Sequence, residues 1–354
     1  MSFSSKIGNW FLQNKRDLPW RNTKNPYPIW LSEVMLQQTR VSQALPYYNK
    51  FIKRFPEICD LAAAEESEVL KLWQGLGYYS RGRNLHKAAK KICHELNGKF
   101  PTKFKELKKL PGVGEYTASA VASFAYQTPV AVVDGNVFRV VARFLGISTP
   151  INSTEGEKIF KEKAQLLLNK KQPDLHNQAI MEFGALHCTP KKPNCLFCPL
   201  QQECVAFQLN RVNELPVKIK KTKVKDLFIH YFIFENEAKD LLIQKRDFDG
   251  IWKNLYVFPS LEYTKKPTLE AVKQDFKSNF GWNAKIVRFD KKPKHHLLSH
   301  RKIQAYFWKV ETPEKQFYLL KKKFNLQTTC LQTIKDYPVP VLIQNFIKAY
   351  ISSS

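Results

Sequence analysis

Apolar residues recur every three or four positions through most of the chain's first 200 residues, the spacing of one buried helix face. The pattern is clearest in IWLSEVMLQQTRVSQALPYYNKFIKRF, residues 29–55, and runs from Trp10 to about Leu209 with almost no strand-like alternation. An all-α domain is therefore predicted over 1–212. Beyond it the period changes. LFIHYFIFE, DLLIQKR, AKIVRF and KIQAYFWKV read as strands, while LEAVKQDFKSNF and VPVLIQNFIKAYI read as helices, so residues 227–354 are predicted as an α+β domain. Residues 213–226 form the connection, a basic linker with five lysines in VKIKKTKVKD after Pro216.

With 354 residues and 44% hydrophobic content, each domain can bury its own core. Lys6, Lys15 and Arg16 interrupt the opening segment and no long apolar span follows, so a soluble, cytoplasmic protein without membrane contact is expected. Lys and Arg outnumber Asp and Glu by 57 to 31, a net charge of +26. Such a surplus suits a polyanion. It is shared by both parts, +16 in residues 1–226 and +10 in 227–354, so both can face nucleic acid.

Cys188, Cys195, Cys198 and Cys204 are spaced C-x6-C-x2-C-x5-C, whereas Cys59, Cys93 and Cys330 lie far apart. In a reducing compartment disulfides are not expected and a metal centre is. Four thiolates suit tetrahedral zinc and an iron-sulfur cluster equally well on spacing alone.

LKKLPGVGEYTASAVASFAY, residues 107–126, places Gly112 and Gly114 in a turn between two helical patterns, where free N–H groups and a helix N-terminus can grip a phosphate. A lone carboxylate, Asp134, follows, just ahead of the helical GNVFRVVARFL. Its ordinary reading is an N-cap; its chemical reading is a reactive acid beside a gripped backbone. Glu33 interrupts an apolar helix face. Unless it is solvated or ion-paired, burial there would raise its pKa and keep it protonated, as a general acid requires.

WLSEVMLQQT, GLGYYSRGRNLH (75–86), VDGNVFRV (133–140), HNQAIMEFGALHC (176–188) and the cysteine spacing together resemble the adenine DNA glycosylase (MutY) family of the endonuclease III, or helix-hairpin-helix, superfamily. The resemblance covers nearly all of the first 210 residues. It implies a helix-hairpin-helix domain whose loop 188–204 holds a [4Fe-4S] cluster on Cys188, Cys195, Cys198 and Cys204. It also implies that Glu33 is the catalytic acid, that Asp134 stabilises the cationic sugar, and that Tyr116 and Asn136 position them. Gln178 would touch the flipped adenine, Gln38 and Tyr78 would fill the duplex, Arg21 and Glu182 would support the site, and Arg81 with Arg83 would meet phosphate. Lyase-competent relatives carry a lysine two positions after the hairpin's last glycine; Tyr116 stands there, so base hydrolysis without strand cleavage is expected.

DLLIQKRDFDGIWKNLYVFPS resembles the Nudix-like C-terminal domain of the same family. The positions that carry magnesium-binding carboxylates in active Nudix enzymes are Gln274, Asp275, Ser278 and Asn279, so recognition without hydrolysis is expected. The resemblance implies that Ser299 and His300 read 8-oxoguanine, Leu298 standing where an aromatic is usual. The implied partner is double-stranded DNA with adenine opposite 8-oxoguanine or guanine, bound by a monomer in a bacterial, nucleoid-associated setting. Competing readings are an endonuclease III-like lyase on oxidised pyrimidines, disfavoured by Tyr116, a silent damage-binding protein, disfavoured by Glu33 and Asp134, and a Nudix hydrolase, disfavoured by its missing carboxylates.

Overall fold

A computed structural model describes residues 2–219 and 224–352; positions 220–223 of the expected basic linker lie outside the described residues. The first part is helical: α1 (Phe3–Asn14), α2 (Pro26–Leu36), α3 (Val41–Arg54), α4 (Ile58–Ala63), α5 (Glu66–Trp73) and α6 (Ser80–Glu95). It continues with α7 (Phe104–Leu107), α8 (Glu115–Tyr126), α9 (Gly135–Leu145), α10 (Thr154–Leu167), α11 (Pro173–Leu186) and α12 (Val205–Gln208). Among the described residues, chain packing forms two units, residues 2–63 with 84–219, and residues 64–83 with 224–352. Residues 64–83 thus depart from the expected boundary. The reason is local bonding: Lys71 Nζ donates to the Tyr337 carbonyl at 3.2 Å, Arg83 Nη1 to the Lys253 carbonyl at 2.9 Å, and Tyr79 Oη to the Val339 carbonyl at 3.4 Å.

Within the helical unit, α1 buries Phe3, Ile7 and Phe11, one residue per turn, and packs on α11, which presents Ala179, Ile180 and Phe183. Helix α2 is apolar on nearly every side and buries Tyr27 and the whole run Ile29 to Met35 against α8 and α3. Asn25 caps it by accepting from the Tyr27 amide at 3.0 Å, and Pro26 at its first position needs no donor. Because that run contains Glu33, the helix carries a carboxyl into the interior. Cys59 and Cys93, far apart in sequence, are joined by a disulfide with Cα atoms 5.4 Å apart, which corrects the expectation of none. The return of the chain along α6 brings Cys93 beside α4, a proximity that sequence separation conceals.

In the second unit β1 (Lys225–Glu235), β2 (Leu241–Lys245), β3 (Tyr256–Val257), β4 (Ser260–Tyr263), β5 (Ile286–Arg288), β6 (Lys294–Leu297), β7 (Arg301–Glu311) and β8 (Gln327–Thr329) build a mixed sheet. Strands β1 and β7 run parallel, in register from Lys225 opposite Arg301 to Glu235 opposite Glu311. The remaining pairs are antiparallel: β2 and β4 on β1, β5 and β6 on β7, β3 and β8 on β2. From Leu227 onward β1 is buried at every position, so it shows no alternation in sequence. Helix α13 (Leu269–Phe280) packs Val272, Phe276 and Phe280 against Phe232 and Phe234; α14 (Glu314–Lys323) follows, and α15 (Val341–Ile351) stacks Phe346 on Phe307 with centroids 3.8 Å apart. This is the α+β domain that the period change predicted. Among the described residues no helix is long and apolar enough to cross a membrane.

Candidate active site

The hairpin glycines do different work. Gly112 has φ +73°, and a Cβ there would lie 2.6 Å from the Asn84 Cβ, so both the turn and the close approach exclude a side chain. Gly114 is the N-cap of α8, in extended backbone. Two residues on, Tyr116 projects from the first turn of α8, and its hydroxyl donates to Glu33 Oε2 at 2.6 Å. Glu33 is 3% exposed. Burial pushes its carboxyl up to about 7, helped by the nearby Asp134 charge and opposed by the Tyr116 hydrogen bond and Arg21. Burial also raises the Tyr116 phenol, which therefore remains a donor.

Asp134 is the N-cap of α9. Its Oδ1 accepts from the amides of Asn136 at 2.9 Å and Val137 at 2.8 Å, and its Oδ2 from Asn136 Nδ2 at 2.7 Å. Burial lifts its pKa while these three donors pull it back. Capping and chemistry are thus not rival readings; capping aims the carboxylate. Asn136 is held in turn, since its Oδ1 accepts from Arg139 Nη2 at 2.9 Å while Arg139 Nε reaches the Cys188 carbonyl at 2.6 Å. Helix α11 crosses so closely that a Cβ on Gly184 would sit 2.6 Å from the Asn136 Cβ. A glycine in the last turn of α11 is required there.

Glu33, Asp134, Tyr116, Asn136, Arg21, Gln178 and Glu182, all named from sequence, line one cavity of about 520 Å³. Arg16 was missed. Its Nε and Nη2 donate to Glu182 at 2.8 and 2.6 Å, and Arg21 adds bonds of 3.0 and 2.8 Å to the same carboxylate, which is 1% exposed. Burial alone would raise the Glu182 pKa, but the two guanidiniums hold it at about 2. The available signal was Glu182 on the apolar face of α11, which demanded a buried cation. Removing it strands two guanidiniums, so Glu182→Ala is expected to cost roughly 2–4 kcal/mol at pH 7 in urea unfolding. With the folded pKa below the unfolded value, that stability is present above about pH 4.5 and fades as pH falls toward 2. A variant within 0.5 kcal/mol of wild type, roughly the measurement error, would dismiss the clamp.

Other predicted residues are placed less simply. Gln38, in the helical unit, and Tyr78, in the other, both have left-handed backbone, φ 56° and 48°, a strain that side chains rarely bear without cause. Both are exposed. Arg81, expected to meet phosphate, is turned inward. It is 8% exposed, lies 5.3 Å from the Trp73 ring and 5.6 Å from the Tyr78 ring, and bonds the carbonyls of Leu76 and Gly77. It therefore braces the Tyr78 loop from within. Ser299 and His300 face each other at 3.3 Å on the loop before β7. On α13, Asp275 is the single carboxylate among the four Nudix positions and accepts from Tyr263 at 2.8 Å.

The four loop cysteines are partly buried. Burial and then their mutual charges raise Cys195 and Cys204, and Cys198 reaches about 12 despite a backbone donor. Arg143 Nη1 lies 3.4 Å from Cys188 Sγ, and Cys204 Sγ lies 3.5 Å from the Arg143 carbonyl. Among the described residues no three His, Cys, Asp or Glu are gathered as a ready ion site. The donor set, four soft sulfurs in one short loop, nonetheless fits a group that compensates thiolate charge.

The HhH-GPD superfamily of base excision DNA repair proteins matches residues 31–166, and the NUDIX domain family matches 230–349. A structure of a thermostable thymine-DNA glycosylase shares 31% identity and a TM-score of 0.55, covering 58% of this chain and 95% of that one. An endonuclease III–DNA complex, at 23% identity and TM-score 0.51, shares the fold. Fold and site together define a base excision repair glycosylase with a Nudix domain appended. Among curated relatives, the adenine DNA glycosylase of Buchnera aphidicola subsp. Schizaphis graminum is 37% identical over 87% of this chain and 83% of its own, and the Homo sapiens enzyme is 44% identical over 58% and 40%. The chain belongs to the adenine DNA glycosylase family.

Proposed function

We propose that the enzyme hydrolyses the N-glycosidic bond of adenine paired with 8-oxoguanine or guanine in duplex DNA, without cleaving the strand. The observation that carries this reading is the buried Glu33 carboxyl, held by Tyr116 beside the capped Asp134 in one cavity. Adenine leaves poorly as an anion. Glu33 delivers its proton to N7, the C1′–N9 bond breaks with its electron pair going to the base, and Asp134 stabilises the cationic sugar. Water then adds to C1′ and its proton returns to the Glu33 carboxylate. Lys24 lines the cavity, but its ammonium is engaged by Asp174 and by the Phe124 carbonyl at 3.3 Å, and Tyr116 cannot form a Schiff base.

Gln178 contacts the extruded adenine, Gln38 and Tyr78 fill the duplex, the Gly112–Gly114 turn meets phosphate, and Ser299 with His300 reads the opposite base. Cys188, Cys195, Cys198 and Cys204 would hold a [4Fe-4S] cluster, which supplies structural bracing of the loop and no hydrolytic step. The enzyme acts as a monomer in the bacterial cytoplasm, at the nucleoid. Duplexes with adenine opposite 8-oxoguanine, adenine opposite guanine, and thymine glycol test the whole reading. Breakage of the adenine strand is expected only after alkali; breakage without alkali, or action on thymine glycol alone, would overturn it.

A further inference from the structure

The second unit contains its own cavity of about 780 Å³, larger than the one that holds Glu33 and within the range that encloses a nucleotide-sized ligand. Two rings that open onto it are unusually exposed for their size, Tyr78 at 45% and Phe248 at 49%. Each is backed by an arginine. The Arg81 guanidinium lies 5.6 Å from the Tyr78 ring, and that of Arg246 lies 4.5 Å from the Phe248 ring. Arg246 cannot swing away: its side chain is 4% exposed, Nη1 donates to Glu262 at 2.8 Å and Nε to the Ile251 carbonyl at 3.2 Å. A cation fixed against a ring draws its π-density back, which leaves the ring suited to a flat, electron-rich partner. Ser299 and His300 line the same space and supply polar groups for the edge of such a partner.

Resting on the proposed reading of the base opposite adenine by Ser299 and His300, we propose that Phe248 is a further base-binding residue of that site, the stacking platform on which the purine opposite adenine is held for reading. The platform binds any base face, and the polar loop chooses among them. Phe248 is invisible to motif reasoning because a phenylalanine in a polar loop carries no spacing signal.

The test is duplex affinity by fluorescence anisotropy, with a non-hydrolysable adenine analogue opposite 8-oxoguanine or guanine. Phe248→Ala is expected to weaken both duplexes at least about tenfold, the ordinary loss for one base–aromatic stack, with Phe248→Leu nearly as weak and Phe248→Tyr restoring binding. Wild-type affinity in Phe248→Ala, or full rescue by leucine, would overturn the platform. The underlying reading fails separately: if Ser299→Ala and His300→Ala leave the preference for 8-oxoguanine over guanine untouched, the loop does not read the base, while the Phe248 loss on both duplexes still stands or falls alone.

Discussion

Glu33→Gln is expected to lower single-turnover release of adenine by about 10³-fold at pH 7, the middle of the range for losing a positioned general acid. Glutamine keeps the size of the side chain and an oxygen to accept the Tyr116 hydroxyl, so the loss isolates the proton. The pH dependence gives a second, independent check. With its pKa pushed up to about 7, wild-type Glu33 is protonated below that value, and the rate should fall about tenfold per pH unit above it. The variant's residual rate should lack that slope. On stability the substitution should act in the opposite sense. Between about pH 4.5 and 7 the folded protein holds a proton that the unfolded chain has released, so wild type loses stability as pH rises through that window, up to about 3 kcal/mol. Glutamine carries no such penalty, and thermal unfolding at pH 8 should show the inactive variant as the more stable one. A residual rate within tenfold of wild type, or an unchanged pH slope, would remove Glu33 from the role of acid.

What could be foreseen and what could not follow from how far each signal reaches along the chain. Helix α2 is apolar all round within eleven consecutive residues, so its burial, and with it the buried state of Glu33, could be reasoned from sequence. The same holds for α9, where Asp134 at the N-cap and Gly146 in left-handed backbone at the C-cap bracket an amphipathic run. Contacts across long separations had no such signal. Arg16 meets Glu182 from 166 residues away, and Cys93 meets Cys59 only because two helices return side by side. Arg81 shows a different limit. Its neighbours in sequence are polar and basic, which suggests an outward reach, yet Trp73 and the carbonyls of the Tyr78 loop draw it inward. Residue type indicates what a side chain can do; only packing decides which way it faces.

Asp134 poses the sharper separation, because the same carboxylate caps a helix and is proposed to face a cation. Asp134→Asn keeps a capping oxygen for the amides of Asn136 and Val137, and asparagine caps about as well as aspartate, so the cap survives and the cost in stability, about 1–3 kcal/mol, comes from the new amide facing its neighbour. What it loses is the charge. It also turns an amide donor toward Asn136 Nδ2, and Asn136 cannot flip in response without surrendering its bond from Arg139. Base release should therefore drop by roughly 10²–10³-fold, the usual loss for one preorganised electrostatic contact at a developing charge. Asp134→Ala adds the loss of the cap, about 1 kcal/mol in urea unfolding, to a comparable loss of rate. Both variants then lose rate far out of proportion to their loss of stability, an outcome that a purely structural N-cap cannot produce. If Asp134→Asn retains more than a tenth of the wild-type rate while Asp134→Ala loses rate only in step with its stability, the residue is a cap and the cation is stabilised elsewhere.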